Sequence, residues 1–249
     1  MSVANAMVLL ECEKPYTERM FADAWVGEFI LGGRRNGYSK RIQDMLEQSV
    51  NGREFLARAE QYSGSTWNGA AMRSVPLGVL KGVDEVLAVA KLQACITHNT
   101  PEGIFSSRAV ALASHFALYE DAPLGKLSEY CIDNLPDEDW KMVQNVFMRR
   151  WPHLSVVPKS GYPMAIATVW AALDAVQYCH SLMDMLKRVL WWGGDTDSVA
   201  AIAWGIASAR YQHEGMPLFM MRDFENNMHT GTGAVRLIEI GSRLMEKFS

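Results

Sequence analysis

Apolar side chains recur at three- and four-residue spacing along most of this chain, the period of one face of an α-helix. Residues 2–12 and 17–30 show the pattern first, and 85–97, 103–118 and 138–149 follow it. Four further segments, 163–179, 180–190, 196–212 and 233–248, carry it onward. Alternating runs of β-branched residues, the mark of half-buried strands, are missing. Gly32-Gly33, Asn51-Gly52, Gly64, Gly193-Gly194 and Gly231-Thr232-Gly233 punctuate the helical stretches, and Pro101, Pro123, Pro136 and Pro163 fall near helix starts. Neither a low-complexity linker nor a fixed-period repeat breaks the chain. The pattern therefore predicts a single all-α domain over residues 1–249, with roughly ten helices. Within it, VAAIAWGIASA (199–209) is apolar nearly all round and rich in small residues, which places it at the centre of the bundle.

Composition narrows the picture. Of 249 residues, 49% are hydrophobic and 21% charged, enough apolar material for a substantial core. Lys and Arg total 24 against 28 Asp and Glu, a net charge of -4, which gives no general attraction to phosphate backbones; no nucleic-acid partner is expected. Arg34-Arg35 and Arg149-Arg150 read as isolated, solvated pairs. Cys12, Cys95, Cys131 and Cys179 lack any CxxC or Cys/His spacing and are expected to be reduced. MSVANAMVLLECEKPY has no basic secretion-signal start, and no apolar stretch is long enough to span a bilayer, so a cytoplasmic location without membrane contact is expected.

Four clusters could carry chemistry. In GGDTDS, Asp195, Asp197 and Ser198 stand at i, i+2 and i+3 around the start of the apolar helix. Two readings stand for it. Asp, Thr and Ser are common helix caps that complement the positive end of the helix dipole. The same oxygens could instead converge on a hard cation such as Mg²⁺, Mn²⁺ or Ca²⁺, although three from one turn leave half an octahedral shell to be found elsewhere. In STWNGAAMRSVPLG (65–78), Asn68, Gly69 and Ala70 would let a ligand approach the backbone, or form a turn entering a helix with Arg73 in an ion pair. His98 lies just before the helix start Thr100-Pro101-Glu102, where phosphate oxygens are favoured and loop or cap residues are common. Ser160, Gly161 and Tyr162 offer an aromatic face, or a tyrosine that anchors a loop.

The order NGAAMR, TH, SGY and GGDTDS followed by VAAIAWGIASA resembles the ADP-ribosylglycohydrolase family over most of the chain. The resemblance implies an all-α orthogonal bundle and a hydrolase that removes ADP-ribose from a modified side chain or a related conjugate, assisted by two divalent cations, usually Mg²⁺ or else Mn²⁺. Carried over position by position, Asp195, Asp197 and Ser198 would be metal ligands, Ser198 standing where many relatives have Thr. Asn68, Gly69 and Ala70 would lie beside the ribose, His98 by the diphosphate or adenosine half, and Ser160, Gly161 and Tyr162 near the adenine. A cation bridging the ribose diol would fix the sugar and stabilise charge as the anomeric bond breaks.

The chain departs from the family pattern in one region. The family's other metal ligands come from a Thr-Asp-Asp-Thr stretch before a helix that usually opens Gln-Met, whereas this chain opens MSVANAM, as though that helix were already under way. The catalytic acid of the family is also missing, and no DD-T substitute occurs, because Asp121, Asp137 and Asp139 read as surface residues. The catalytic residue is therefore unassigned, and one of two metal sites is expected intact. Three readings follow: a working hydrolase acting on an ADP-ribosylated protein or small conjugate, a catalytically silent ADP-ribose-binding or structural relative, or a shortened product of a longer enzyme. Shortening would expose an apolar face of the first helix and favour self-association.

Overall fold

The computed structural model of the protein describes residues 1–158, 161–211, 217, 219–220 and 233–249. Among them the chain forms thirteen α-helices, short 3-10 turns and no strand. Four come first: α1 (Ser2–Glu11), α2 (Glu18–Leu31), α3 (Lys40–Glu47) and α4 (Gly52–Ala59). Then come α5 (Gly69–Met72), α6 (Val83–His98), α7 (Pro101–Tyr119) and α8 (Leu127–Asn134). They are followed by α9 (Trp140–Val146), α10 (Met164–Tyr178), α11 (Leu182–Trp192), α12 (Thr196–Tyr211) and α13 (Ala234–Phe248). The long helices fall where the apolar period placed them. Gly231 and Thr232 lie outside the described residues.

The chain divides into two compact units, one of residues 1–63 with 217–249 and one of 64–216. In the first, α1 packs on α2 and on α13. Trp25 is fully buried; its Nε1 donates to Asn5 Oδ1 at 2.7 Å and its ring meets Phe55 edge-on. Polar clasps hold α13 at both ends: Arg236 makes a two-pronged pair with Glu28 (2.8 and 2.5 Å), and Lys247 Nζ donates to the carbonyls of Leu9 and Leu10.

The second unit is built around α7 and α10. Every side chain from Phe105 to Ala117 is buried, and so is every one from Met164 to Val176. Small residues make this possible, since alanines at 109, 111, 113, 165, 167, 171, 172 and 175 let neighbouring backbones approach. Helix starts follow local chemistry. Thr100 Oγ1 accepts from Gly103 N (3.1 Å) with Pro101 as the first helical residue of α7, and Ser181 Oγ accepts from Asp184 N (3.1 Å) at the head of α11.

Three expectations need correction. Helix α12 is not enclosed on all sides: it buries the stripe Ser198, Val199, Ile202, Ala203, Ile206 and Ala207 against its neighbours, while Ala201 and Ser208 are exposed. An alanine carries little apolar area, so leaving some of them outside costs little. Asp139 is not a surface residue. It is 3% exposed and paired with Arg108 Nη1 at 3.1 Å, and burial raises its pKa against the pull of that guanidinium. Arg150, from one of the supposedly idle pairs, clamps the buried Asp174 through Nε (2.5 Å) and Nη2 (3.1 Å) and stacks on Tyr178 at 3.5 Å.

Asp174 Oδ1 also accepts the backbone N–H of the buried Trp151 (3.0 Å), fastening the segment after α9 to the core helix α10. Arg150 is half-exposed and can turn to water, but the Trp151 N–H cannot. An Asp174→Ala substitution is expected to destabilise the protein by about 1–3 kcal/mol, the cost of a buried donor left unmet. The midpoint of urea unfolding measures it, and Asp174→Asn, which retains one acceptor oxygen, should lose less.

Candidate functional site

Asn68 caps the single turn of α5 and is only 7% exposed. Its Nδ2 donates twice, to Thr168 Oγ1 in the middle of α10 (3.0 Å) and to Asp195 Oδ2 (2.5 Å) at the head of α12. Residues 127 positions apart are thereby joined through one amide. The other oxygen, Asp195 Oδ1, accepts from Ser198 Oγ at 3.0 Å, and Met72 Sδ lies 3.4 Å from the same hydroxyl. Asp197, itself exposed to solvent, lies beside the Asp195 carboxyl. The Asp195 carboxyl thus faces other side chains instead of merely finishing a helix. Burial raises its pKa first and the hydrogen bond with Asp197 second, while the bonds from Ser198 and Asn68 oppose the rise.

A glycine strap aims this cluster. Gly193 and Gly194 take φ values of 77° and 83°, a left-handed region that favours glycine. They lie along Val156: its N–H donates to Gly193 O (3.2 Å), and its carbonyl accepts from Asp195 N (2.8 Å). A methyl group at Gly194 would overlap the Val156 carbonyl, so Gly194 is required both by backbone conformation and by space, and Gly193 by conformation.

The second residue brought to the cluster is His98. It is the last residue of α6 and is 4% exposed, a buried side chain and not an open loop residue. Its ring lies against Gly69, where an added Cβ would come within 3.0 Å of Cε1. Arg73 is fully buried beneath it and donates to Gln93 Oε1, to Gln93 O (3.1 Å) and to Thr97 Oγ1 (2.8 Å). Because arginine only donates, the Thr97 hydroxyl proton is free for His98 Nδ1 at 2.7 Å, which leaves Nε2 as the ring's N–H. Burial and the nearby Arg73 cation lower the His98 pKa to about 3, so the imidazole is neutral at any ordinary pH; desolvation likewise lowers Arg73 to about 9.

Of the remaining residues, those described do not reach the Asp195 cluster with their side chains. Ala70 is wholly buried behind it, its carbonyl taken by Ser74 Oγ at 2.7 Å. Gly161 is an exposed turn residue with φ 89°, and Tyr162 is half-buried, edge-on to Trp170 at 5.5 Å. Ser160 lies outside the described residues. One bond links the Tyr162 segment to the Asn68 loop, from Ala165 N to Thr66 O at 3.0 Å. Four supporting residues went unread in the sequence: Thr168, Met72, Gln93 and Thr97. Met72 and Thr97 fall inside the quoted NGAAMR and TH motifs without a role of their own, and Thr168 stands as a lone hydroxyl in the apolar run MAIATVWAAL.

The donor set of Asp195, Asp197 and Ser198 is hard oxygen, which suits Mg²⁺ or Mn²⁺ and not zinc. Two neighbouring carboxyls and a hydroxyl offer oxygen donors that a divalent cation could draw together, so these residues fit such an ion in kind. Among the described residues no group of three or more His, Cys, Asp or Glu side chains gathers to hold a metal, so the three oxygens form part of a shell.

An all-α protein in which an amide and a neutral histidine from early helices meet an Asp-x-Asp-Ser helix mouth is a recognisable class. A model of the ADP-ribosylglycohydrolase family matches residues 1–249, and the chain belongs to that family. Among curated relatives it is similar to ADP-ribosylhydrolase ARH3 of Bos taurus, 27% identical over 232 residues that cover 78% of this chain and 61% of that protein. With ARH3 of Danio rerio it shares 26% identity over 248 residues, covering 82% of this chain and 66% of the relative. The matched region therefore spans about three-fifths of the length of these relatives. Among solved structures, a chain of an ADP-ribosylglycohydrolase-related protein complex aligns over 100% of this chain and 80% of its own, with a TM-score of 0.72 at 19% identity, a likeness of fold.

Two outcomes follow from this geometry. Gly194→Ala combines steric overlap with left-handed strain and is expected to lower stability by about 3 kcal/mol or more, read as a fall in Tm. For His98, a folded pKa of about 3 lies below the ordinary 6.5, so the unfolded chain binds more protons between these values. The histidine's contribution to stability is complete above pH 6.5 and is lost as pH falls toward 3, at about 1.4 kcal/mol per pH unit. Unfolding free energies measured from pH 7 to pH 4 should fall less steeply for His98→Gln than for the parent.

Proposed function

We propose that this protein hydrolyses the glycosidic bond of an ADP-ribosyl conjugate, with a divalent cation held at Asp195, Asp197 and Ser198. The observation that carries the reading is the Asn68–Asp195 hydrogen bond, because it sets the acidic helix mouth beside the α5 turn and the neutral His98. A cation held there by Asp195, Asp197 and Ser198 would supply positive charge for orienting the sugar and for stabilising charge as the glycosidic bond breaks. Asn68 holds one Asp195 oxygen and Ser198 the other. Thr168 locks the Asn68 amide in turn, so the carboxylate is orientated before substrate arrives. Gly69 leaves the α5 backbone bare beside the His98 ring, and the His98 Nε2–H offers a neutral donor to an oxygen of the ligand there. The catalytic acid or base is not among these groups.

The reading is tested by following release of ADP-ribose from ADP-ribosylated serine and arginine peptides in Mg²⁺. Turnover abolished by EDTA and by Asp197→Ala is the expected result. Asn68→Ala should cut it about 10- to 100-fold, since the amide acts through the orientation of Asp195. Turnover that is indifferent to Asp195 and Asp197 replacement would remove this assignment.

A second reading is favoured by one observation: both oxygens of the Asp195 carboxyl already have partners, in Asn68 and Ser198. A cluster satisfied in this way can bind ribose hydroxyls without turning a substrate over. Calorimetry with ADP-ribose separates the two. Heat that is equal with and without Mg²⁺, in a protein that releases nothing from either peptide, supports the silent binder.

A further inference from the structure

Helix α11 carries a second site that the hydrolase reading does not use. Asp184, Lys187, Arg188 and Trp191 stand at i, i+3, i+4 and i+7, one stripe along the helix, and together with His153 they line an open pocket of about 420 Å³. That volume lies within the range of small-molecule sites. Trp191 is 74% exposed, a large apolar ring left facing solvent. Lys187 and Arg188 stand one turn before it, and neither forms an ion pair with a described residue. Asp184 is partly committed, as its Oδ2 accepts the His180 N–H at 3.2 Å.

The pocket is held in shape. His153 adopts φ 60°, and its Nδ1 accepts from Trp192 Nε1 at 3.0 Å. An indole only donates, so the neutral His153 ring carries its proton on Nε2. The ring packs edge-on against both Trp191 and Trp192, each at 5.9 Å. Ser155 Oγ donates to Trp192 O (2.8 Å), closing the same wall. An exposed tryptophan face flanked by two free cations and a histidine N–H suits a ligand that joins a planar ring to a phosphate. The guanidinium takes the phosphate in two-pronged fashion, and the indole stacks on the ring.

From this arrangement we infer that the α11 pocket binds a nucleoside phosphate, at a place separate from the Asp195 cluster. The inference does not depend on the hydrolase reading.

Binding of AMP, adenosine and inorganic phosphate is followed by tryptophan fluorescence and by equilibrium dialysis. AMP should bind more tightly than either of its halves and quench fluorescence. Trp191→Ala should weaken AMP at least tenfold and remove most of the quench, and Trp191→Phe should restore much of the affinity. Arg188→Gln with Lys187→Gln should reduce AMP to the level of adenosine. These side chains are exposed or half-exposed, so the variants should keep the parent's circular dichroism. An Asp197→Ala variant should bind AMP as the parent does, which separates failure of this pocket from failure of the hydrolase site. Loss of binding in Asp197→Ala, equal affinity for phosphate and AMP, or AMP binding unchanged by Trp191→Ala would each overturn the proposal.

Discussion

One hydrogen bond organises the candidate site: the Asn68 amide on the Asp195 carboxyl. Its energy is modest, as for any single contact of this kind, but its placement decides what the acidic helix mouth can do. Without it, Asp195, Asp197 and Ser198 could be nothing more than helix-terminal residues. With it, the mouth of α12 is tied to the α5 turn, and through Gly69 to His98. Thr168 completes the tie from inside α10, so three elements distant in sequence agree on the position of one carboxyl group.

The surroundings of that bond share a physical theme, the replacement of mobile charge by fixed dipoles. His98 is kept neutral by burial and by Arg73, and Arg73 is in turn held by Gln93 and Thr97. Gln93 reaches onward to Ser74 (3.0 Å) and Ser107 (2.6 Å), forming a chain of buried polar groups whose geometry is over-determined. A network of this kind is worthwhile only if every member is satisfied, since each unmet group in the interior is costly. It gives the second unit a rigid polar spine between α6 and α7, on which the α5 turn rests.

Much of the fold was legible in the apolar period. The nine segments read as helical correspond to α1, α2, α6, α7, α9 through α12 and α13; all but α9 run to ten residues or more, enough for the 3.6-residue repeat to show, and the seven-residue α9 lies inside the longer apolar period of 138–149. The helices that escaped notice, α3, α4, α5 and α8, run to eight residues or fewer and bury two or three side chains each. Asn51-Gly52 read as punctuation; Asn51 in fact caps α4, its side chain accepting from Glu54 N at 3.1 Å. At the site, composition and order identified Asn68, His98 and the GGDTDS cluster. They could not identify the partners Thr168 and Met72, which contact the site only through the packing of α10 and α5 against α12. Nor could they distinguish a buried pair such as Arg108 and Asp139 from surface charge, since burial is set by neighbours far along the chain.

The glycine strap has a further consequence for how this joint tolerates change. Gly193 and Gly194 are laid against Val156 with no slack, so the first turn of α12 starts from a fixed phase. Inserting or deleting one residue there would rotate every later side chain of the helix by about 100°, carrying Ser198 off the face it now shares with Met72 and turning the buried stripe of Val199, Ile202 and Ile206 outward. Length at this joint is therefore as strictly constrained as residue identity, and variation in this part of the molecule is confined to substitution.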